Sequence, residues 1–210
     1  QGGNSRWDVI DLFRMAQALR PEGFVWPRNE QDVPTFRLEK LTEVNGIGHE
    51  SAHDAVSDVL ATIDVTKKLR QAQPKLYDFL FELRNKKKVT SQLYPLGKQP
   101  VIHISSMYPA AKNCIAIILP ICAHPSNPNG VICFDLSQTP DTLLKAGPNE
   151  LHRLMFSRKE DLAEGETRIA LKTLHINRCP AIAPIATVKG QETRLRLDME
   201  KCMAHLRQLQ

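Results

Sequence analysis

Part-way along this chain the apolar residues change their spacing, and that change constrains the fold more than any composition figure. Between Trp7 and Arg70 they recur at helical intervals, as in Val9, Ile10, Phe13, Ala16 and Leu19. Pro21 disfavours helical geometry at Arg20 and Gly23 tolerates a turn, so the first helix stops at RPEG. A shorter helix is predicted after Pro34, carrying Phe36, Leu38 and Leu41 and ending at Asn45-Gly46. A third runs from near Ser51 to about Leu69, with Ala55, Val59, Thr62, Ile63 and Val65 or Thr66 as its apolar stripe. Lys67, Lys68 and Arg70 fall at its C-terminal end, where the helix dipole favours cations.

RQAQPKLYDFLFELRNKKKV reads as a linker and then a helix, with Tyr77, Leu80, Phe81 and Leu83 on one face and a basic cluster from Arg84 to Lys88. Beyond it stand short β-branched runs, VIHIS, CIAIILPIC, GVICFDL and RIALKTLHI, separated by Pro, Asn and Gly. HPSNPNGV between two of them is a turn. PDTLLKA and PNELHRLMF are short helices, and a last helix spans about Glu192 to Leu209. The expected class is α+β, a helical part over 1–72 followed by a mostly antiparallel β-domain with helical insertions over 73–210.

At 42% hydrophobic and 24% charged, 210 residues bury a real core. The net charge of +5 permits a polyanionic partner without demonstrating one. The five cysteines form no C-x-x-C pair, so neither a zinc knuckle nor a disulfide framework is indicated, and buried free thiols in a reducing cytoplasm are expected. The longest apolar run, Cys114 to Ala123, is broken by Pro120 and is too short to cross a bilayer. The chain opens QGGNSRWD without a Met and is expected to be an internal piece of a longer protein.

The chemistry-bearing stretch is HDAVSD, from His53 to Asp58. On a regular helix, side chains five residues apart point about 140° away from each other. They converge only if His53 lies in the loop before the helix, with Ser51 or Asp54 as the capping residue. An imidazole above a helix-borne carboxylate suits metal-assisted phosphodiester hydrolysis, the carboxylate holding a divalent ion and the imidazole taking a proton from the attacking water. As spacing alone, H-x4-D also fits first-turn acids favoured by the dipole and a surface histidine. A competing reading takes His53-Asp54 as a metal-ligating dipeptide with His49 four residues earlier, but Gly46 and Gly48 place His49 in a loop and no downstream partner is evident.

SAHDAVSDVLAT preceded by FRLEKLTEVNGIGHE resembles the last block of the DEDDh-type 3′→5′ exonucleases. With ALRPEGFVWP, QPKLYDFLFELRNKKKV and LHINRCPAIAP, the resemblance to the bacterial exodeoxyribonuclease I family extends over nearly the whole chain. It implies an RNase H-like exonuclease domain followed by an SH3-like β-barrel. It also implies release of 5′-mononucleotides from single-stranded DNA with Mg²⁺ at a two-metal site. His53 matches the catalytic histidine and Asp58 the metal-binding aspartate; Asp54 matches no metal ligand. The family's other acidic motifs fall upstream of residue 1, so these 210 residues alone are expected not to cleave.

The same resemblance implies two partners. Single-stranded DNA would follow the β-domain, with Lys86, Lys87, Lys88, Lys98 and Lys112 as the leading phosphate contacts and Arg168, Lys172, Arg178, Lys189 and Arg194 or Arg196 as further ones. The acidic, Phe-terminated tail of the single-stranded-DNA-binding protein would dock at Arg20, Phe79, Lys189, Met203 and Arg207, where cations meet carboxylates and an apolar pocket takes the terminal ring. Pro184 stands where the family tends to have a polar residue. A cytoplasmic monomer is expected. The alternative is a non-catalytic module that binds either partner.

Overall fold

The computed structural model describes residues 7–49 and 54–210. The first part is helical: α1 (Ile10–Leu19), α2 (Leu38–Val44), α3 (Ala55–Ala72), α4 (Pro74–Glu82) and α5 (Lys86–Leu93). The second holds β1 (Val101–Ile104), β2 (Ile115–Ala123), β3 (Gly130–Asp135), α6 (Asp141–Lys145), α7 (Pro148–Phe156), β4 (Leu171–His175), β5 (Ala181–Pro184), α8 (Glu192–Leu195) and α9 (Met199–Leu209). The expected α+β class is met, and every strand pairing is antiparallel.

The strand order is β4-β3-β2-β1-β5. Pro120 sits inside β2, where a proline cannot donate to the ladder. A bulge resolves this: the register passes from Pro120↔Cys133 to Cys122↔Ile132, and the Pro120 carbonyl accepts instead from the Gly97 N–H at 2.7 Å. The sheet curls, since Lys172 on β4 brings Nζ within 3.4 Å of His103 Nδ1 on β1, three strands away. Both faces of β1 are buried, and α1 packs against β1 and β5. One apolar cluster joins Leu12, Met15, Leu69 and Leu80 of the helices to Ile102, Ile117 and Phe134 of the sheet.

Several expectations are corrected at the level of elements. The third helix runs on to Ala72 and α4 begins at Pro74, so the expected linker is Gln73 alone. The inward stripe of α3 is Ala61, Val65 and Leu69; Val59 and Ile63 face out with Val56 and Leu60. The basic cluster opens a helix of its own, capped by the Asn85 side chain on the Lys87 N–H at 2.9 Å. β5 adds a fifth strand, and the last helix is broken where Arg196 takes a left-handed φ of 56° and Asp198 caps α9 through the Lys201 N–H. Cys122 is exposed; the other four cysteines are buried free thiols. Burial raises Cys133 to about 12 and Cys179 and Cys202 to about 11, which makes these three inert.

His103 is a strongly perturbed group of the β-domain. Its Nδ1 lies 3.1 Å from the Tyr108 hydroxyl, and burial, with the Lys172 charge beside it, lowers its pKa to about 3. An unfolded chain takes up that proton near 6.5, so between those values the unfolded state binds more protons and stability falls as the pH falls. The urea midpoint is expected to drop between pH 6.5 and 3, and by less in a His103→Gln variant. Equal acid sensitivity in both proteins would contradict the assignment.

Candidate functional site

The loop before α3 is built by the end of α2. Gly46 adopts a left-handed φ of 65°, with its N–H on Glu43 O and the Ile47 N–H on Thr42 O, which closes α2 in a Schellman turn. The Asn45 side chain ties this turn to Val25 and Leu41, and Lys68 of α3 donates to the Asn45 carbonyl. The turn delivers His49 against α3: Nε2 lies 2.7 Å from Asp58 Oδ1, and Nδ1 is 3.5 Å from the Thr42 hydroxyl.

Asp54 caps α3 by accepting the Ser57 N–H at 3.0 Å, one of the two caps expected, and so acts structurally. Asp58 lies in the first turn, where the dipole favours a carboxylate. The His49 side chain is 7% exposed and that of Asp58 42%, so the imidazole is packed away while the carboxylate still faces solvent. His53 lies outside the described residues. Among the described residues no group of three or more His, Cys, Asp or Glu side chains could hold a metal ion. By themselves they do not fit a two-metal site, which needs several carboxylates. They supply one oriented carboxylate and a histidine that orients it.

A second site lies between the two parts of the chain. A cavity of about 390 Å³ is lined by Met15, Leu19, Leu76, Phe79 and Pro184, with Arg20 and Lys75 as its cations. Arg20 and Phe79, 59 positions apart in the sequence, are brought together here. Lys189 is exposed two residues beyond Thr187, which lines the same cavity. Met203 and Arg207 lie on α9 and do not line it. Lys75 and Leu76 were not anticipated; they follow Pro74 at the start of α4, and only the fold shows which way that turn faces.

The expected DNA contacts scatter. Lys86, Lys87 and Lys88 are exposed in the first turn of α5, where the dipole disfavours cations, so helix stability does not account for them. Lys86 reaches Asn129 in the β2–β3 turn at 2.6 Å, and Lys88 pairs with Glu82 at 3.1 Å. The antiparallel register puts Lys98 at that same end of the sheet and Lys112 at the other. Lys172 turns inward onto the Tyr108 ring, and burial lowers its pKa to about 8. Arg168 and Arg194 donate to the carbonyls of Met155 and Ala18.

With this geometry in place, residues 84–210 match the family described as the exonuclease I SH3-like domain. This chain belongs to the exonuclease I family. Exodeoxyribonuclease I of Haemophilus influenzae is 40% identical over 211 residues, covering 100% of this chain and 45% of that protein. Escherichia coli exonuclease I in complex with a dA16 oligonucleotide superimposes with a TM-score of 0.94 at 38% identity, covering 100% of this chain and 45% of that one. An ExoI/SSB-Ct complex gives a TM-score of 0.92 at 38% identity, covering 100% and 44%. The chain therefore spans about half the length of the exonuclease I relatives it matches. Among the described residues no helix is long and apolar enough to cross a membrane.

Proposed function

We propose that this chain is the C-terminal part of an exonuclease domain with its SH3-like domain. The longer protein would remove 5′-mononucleotides from the 3′ end of single-stranded DNA. His53 takes the proton of the attacking water, Asp58 is one carboxylate of a Mg²⁺ site, and His49 holds that carboxylate in place. The observation that carries this reading is the solvent-facing carboxylate of Asp58, held by His49 on the first turn of α3. The chain by itself is expected not to cleave, since a two-metal site needs several carboxylates and this reading supplies Asp58.

The outward face of α3 supports the same reading. Val56, Val59, Leu60 and Ile63 recur at helical spacing, and all four are exposed. Such a stripe is expected to be covered by another part of a protein about twice this length. Leu60→Lys is expected to change the stability of this chain by no more than about 0.5 kcal/mol. In the longer protein it should cost roughly 2 kcal/mol or more, because the ammonium would be buried against apolar neighbours. Urea unfolding of both pairs tests the reading; equal shifts in the two contexts would mean that nothing covers the stripe.

The cavity at Arg20 and Phe79 favours a second function that needs no catalysis. Its apolar walls and two cations suit an acidic peptide ending in an aromatic residue, as in the tail of the single-stranded-DNA-binding protein.

A further inference from the structure

The outer surface of α4 carries an ordered stack that neither the Asp58 site nor the Arg20 cavity uses. Tyr77 and Phe81, one turn apart, hold their rings 5.9 Å apart and 15° from parallel. Trp7 packs its edge on both, at 5.3 and 5.4 Å. A guanidinium covers each ring of the pair: Arg70 lies 4.8 Å from the Tyr77 centroid and Arg84 lies 3.3 Å from that of Phe81. Arg84 is set in this pose by its Nε–H, which donates to the Phe81 carbonyl at 2.9 Å. Beside the stack opens a cavity of about 350 Å³, lined by Phe81, Glu82, Arg84, Asn85 and Lys88.

These groups match the parts of one nucleotide. A guanidinium backed by an aromatic ring is a plane on which a base stacks. Glu82 and Asn85 offer polar atoms to a base edge, and Lys88, next to Lys86 and Lys87, offers charge to a phosphate. The Lys88–Glu82 pair, with both side chains well exposed, is weak enough to be displaced. An acidic peptide would satisfy the lysines and leave the planar stack unused, so the aromatic component favours nucleic acid.

We propose that the cavity beside the Phe81–Arg84 stack holds one base of a single-stranded nucleic acid, with Lys88 on its phosphate. Arg70, the guanidinium over the other ring of the stack, lies about 18 Å of helix rise along α3 from Asp58. This inference rests on the reading that the chain handles single-stranded DNA.

The test uses this chain, fluorescent oligothymidylates and oligonucleotides containing 2-aminopurine, over a range of salt concentrations. Arg84→Lys keeps the charge and removes the plane. It is expected to weaken binding about five- to tenfold, to leave the salt slope unchanged, and to abolish the 2-aminopurine quenching expected of the unaltered chain. Lys88→Gln is expected to keep the quenching and reduce the salt slope by about 0.7, one phosphate on a single strand. If the unaltered chain binds oligonucleotides and Arg84→Lys matches it in affinity and quenching, the stacking site is wrong while the broader reading stands. If the unaltered chain binds none, both fall. An acidic peptide whose binding Arg84→Lys removes, while oligonucleotide binding is unaffected, would give this surface to a protein partner and overturn the proposal.

Discussion

His53→Ala in the longer exonuclease is expected to lower the rate of nucleotide release from single-stranded DNA by about 10²- to 10⁴-fold, the range for a positioned general base. The expectation follows from the order of the residues around the cap of α3. Asp54 ends the loop by accepting the Ser57 N–H, so His53 precedes the helix and Asp58 lies within it. That order is the one in which an imidazole and a carboxylate five residues apart can reach the same substrate. His49 is not a substitute, since its Nε2 faces Asp58 at 2.7 Å and its side chain is packed away. Single-turnover rates across pH would separate the two histidines. His53→Ala should remove the ascending acidic limb along with the rate, whereas His49→Gln should lower the rate and keep the limb. A His53→Ala enzyme within twofold of the unaltered one would take catalysis away from this histidine.

Phe134→Ala is expected to be the most damaging change to the stability of the chain, at about 3–5 kcal/mol. Phe134 is 1% exposed and among the largest fully buried side chains. It lies on β3 opposite Leu119 on one side and Leu171 on the other, in the strand that links β4 to the rest of the sheet. A domain of ordinary stability has roughly 5–15 kcal/mol in total, so this loss brings the chain close to unfolding. The urea midpoint should fall sharply with an unchanged slope. Phe156→Ala makes a matched control: the same truncation at a side chain 65% exposed should cost no more than about 0.5 kcal/mol. Similar losses at the two positions would mean that the sheet interior is not where the fold is held.

The residues announced the order of helices and strands, and the physical reasons for the exceptions are specific. α3 carries apolar residues on two faces, so its periodicity allows more than one inward stripe, and Val59 and Ile63 of the expected one face outward. β5 has four residues, follows Pro180 and ends on the exposed Pro184, too short a run to stand out. The break at Arg196 has no Gly or Pro to announce it; a left-handed non-glycine residue and the Asp198 cap make it. Asp58 could be singled out from HDAVSD and His49 from its spacing to His53, but not the pairing of His49 with Asp58, which depends on the Schellman turn that ends α2. Arg20 and Phe79 came together only through the family resemblance. No local pattern relates the end of α1 to the middle of α4, which meet in a cavity that Ala183 and Pro184 of β5 also line.

His53 and Asp58 are proposed to be part of an active site that needs further carboxylates from another stretch of polypeptide. Digestion of 3′-labelled and 5′-labelled single-stranded DNA by this folded chain with Mg²⁺, with its His53→Ala variant alongside, decides this. No nucleotide release by either protein is the predicted result. Release of mononucleotides by the unaltered chain, abolished by His53→Ala, would contradict the claim, because these 210 residues would then hold a complete site.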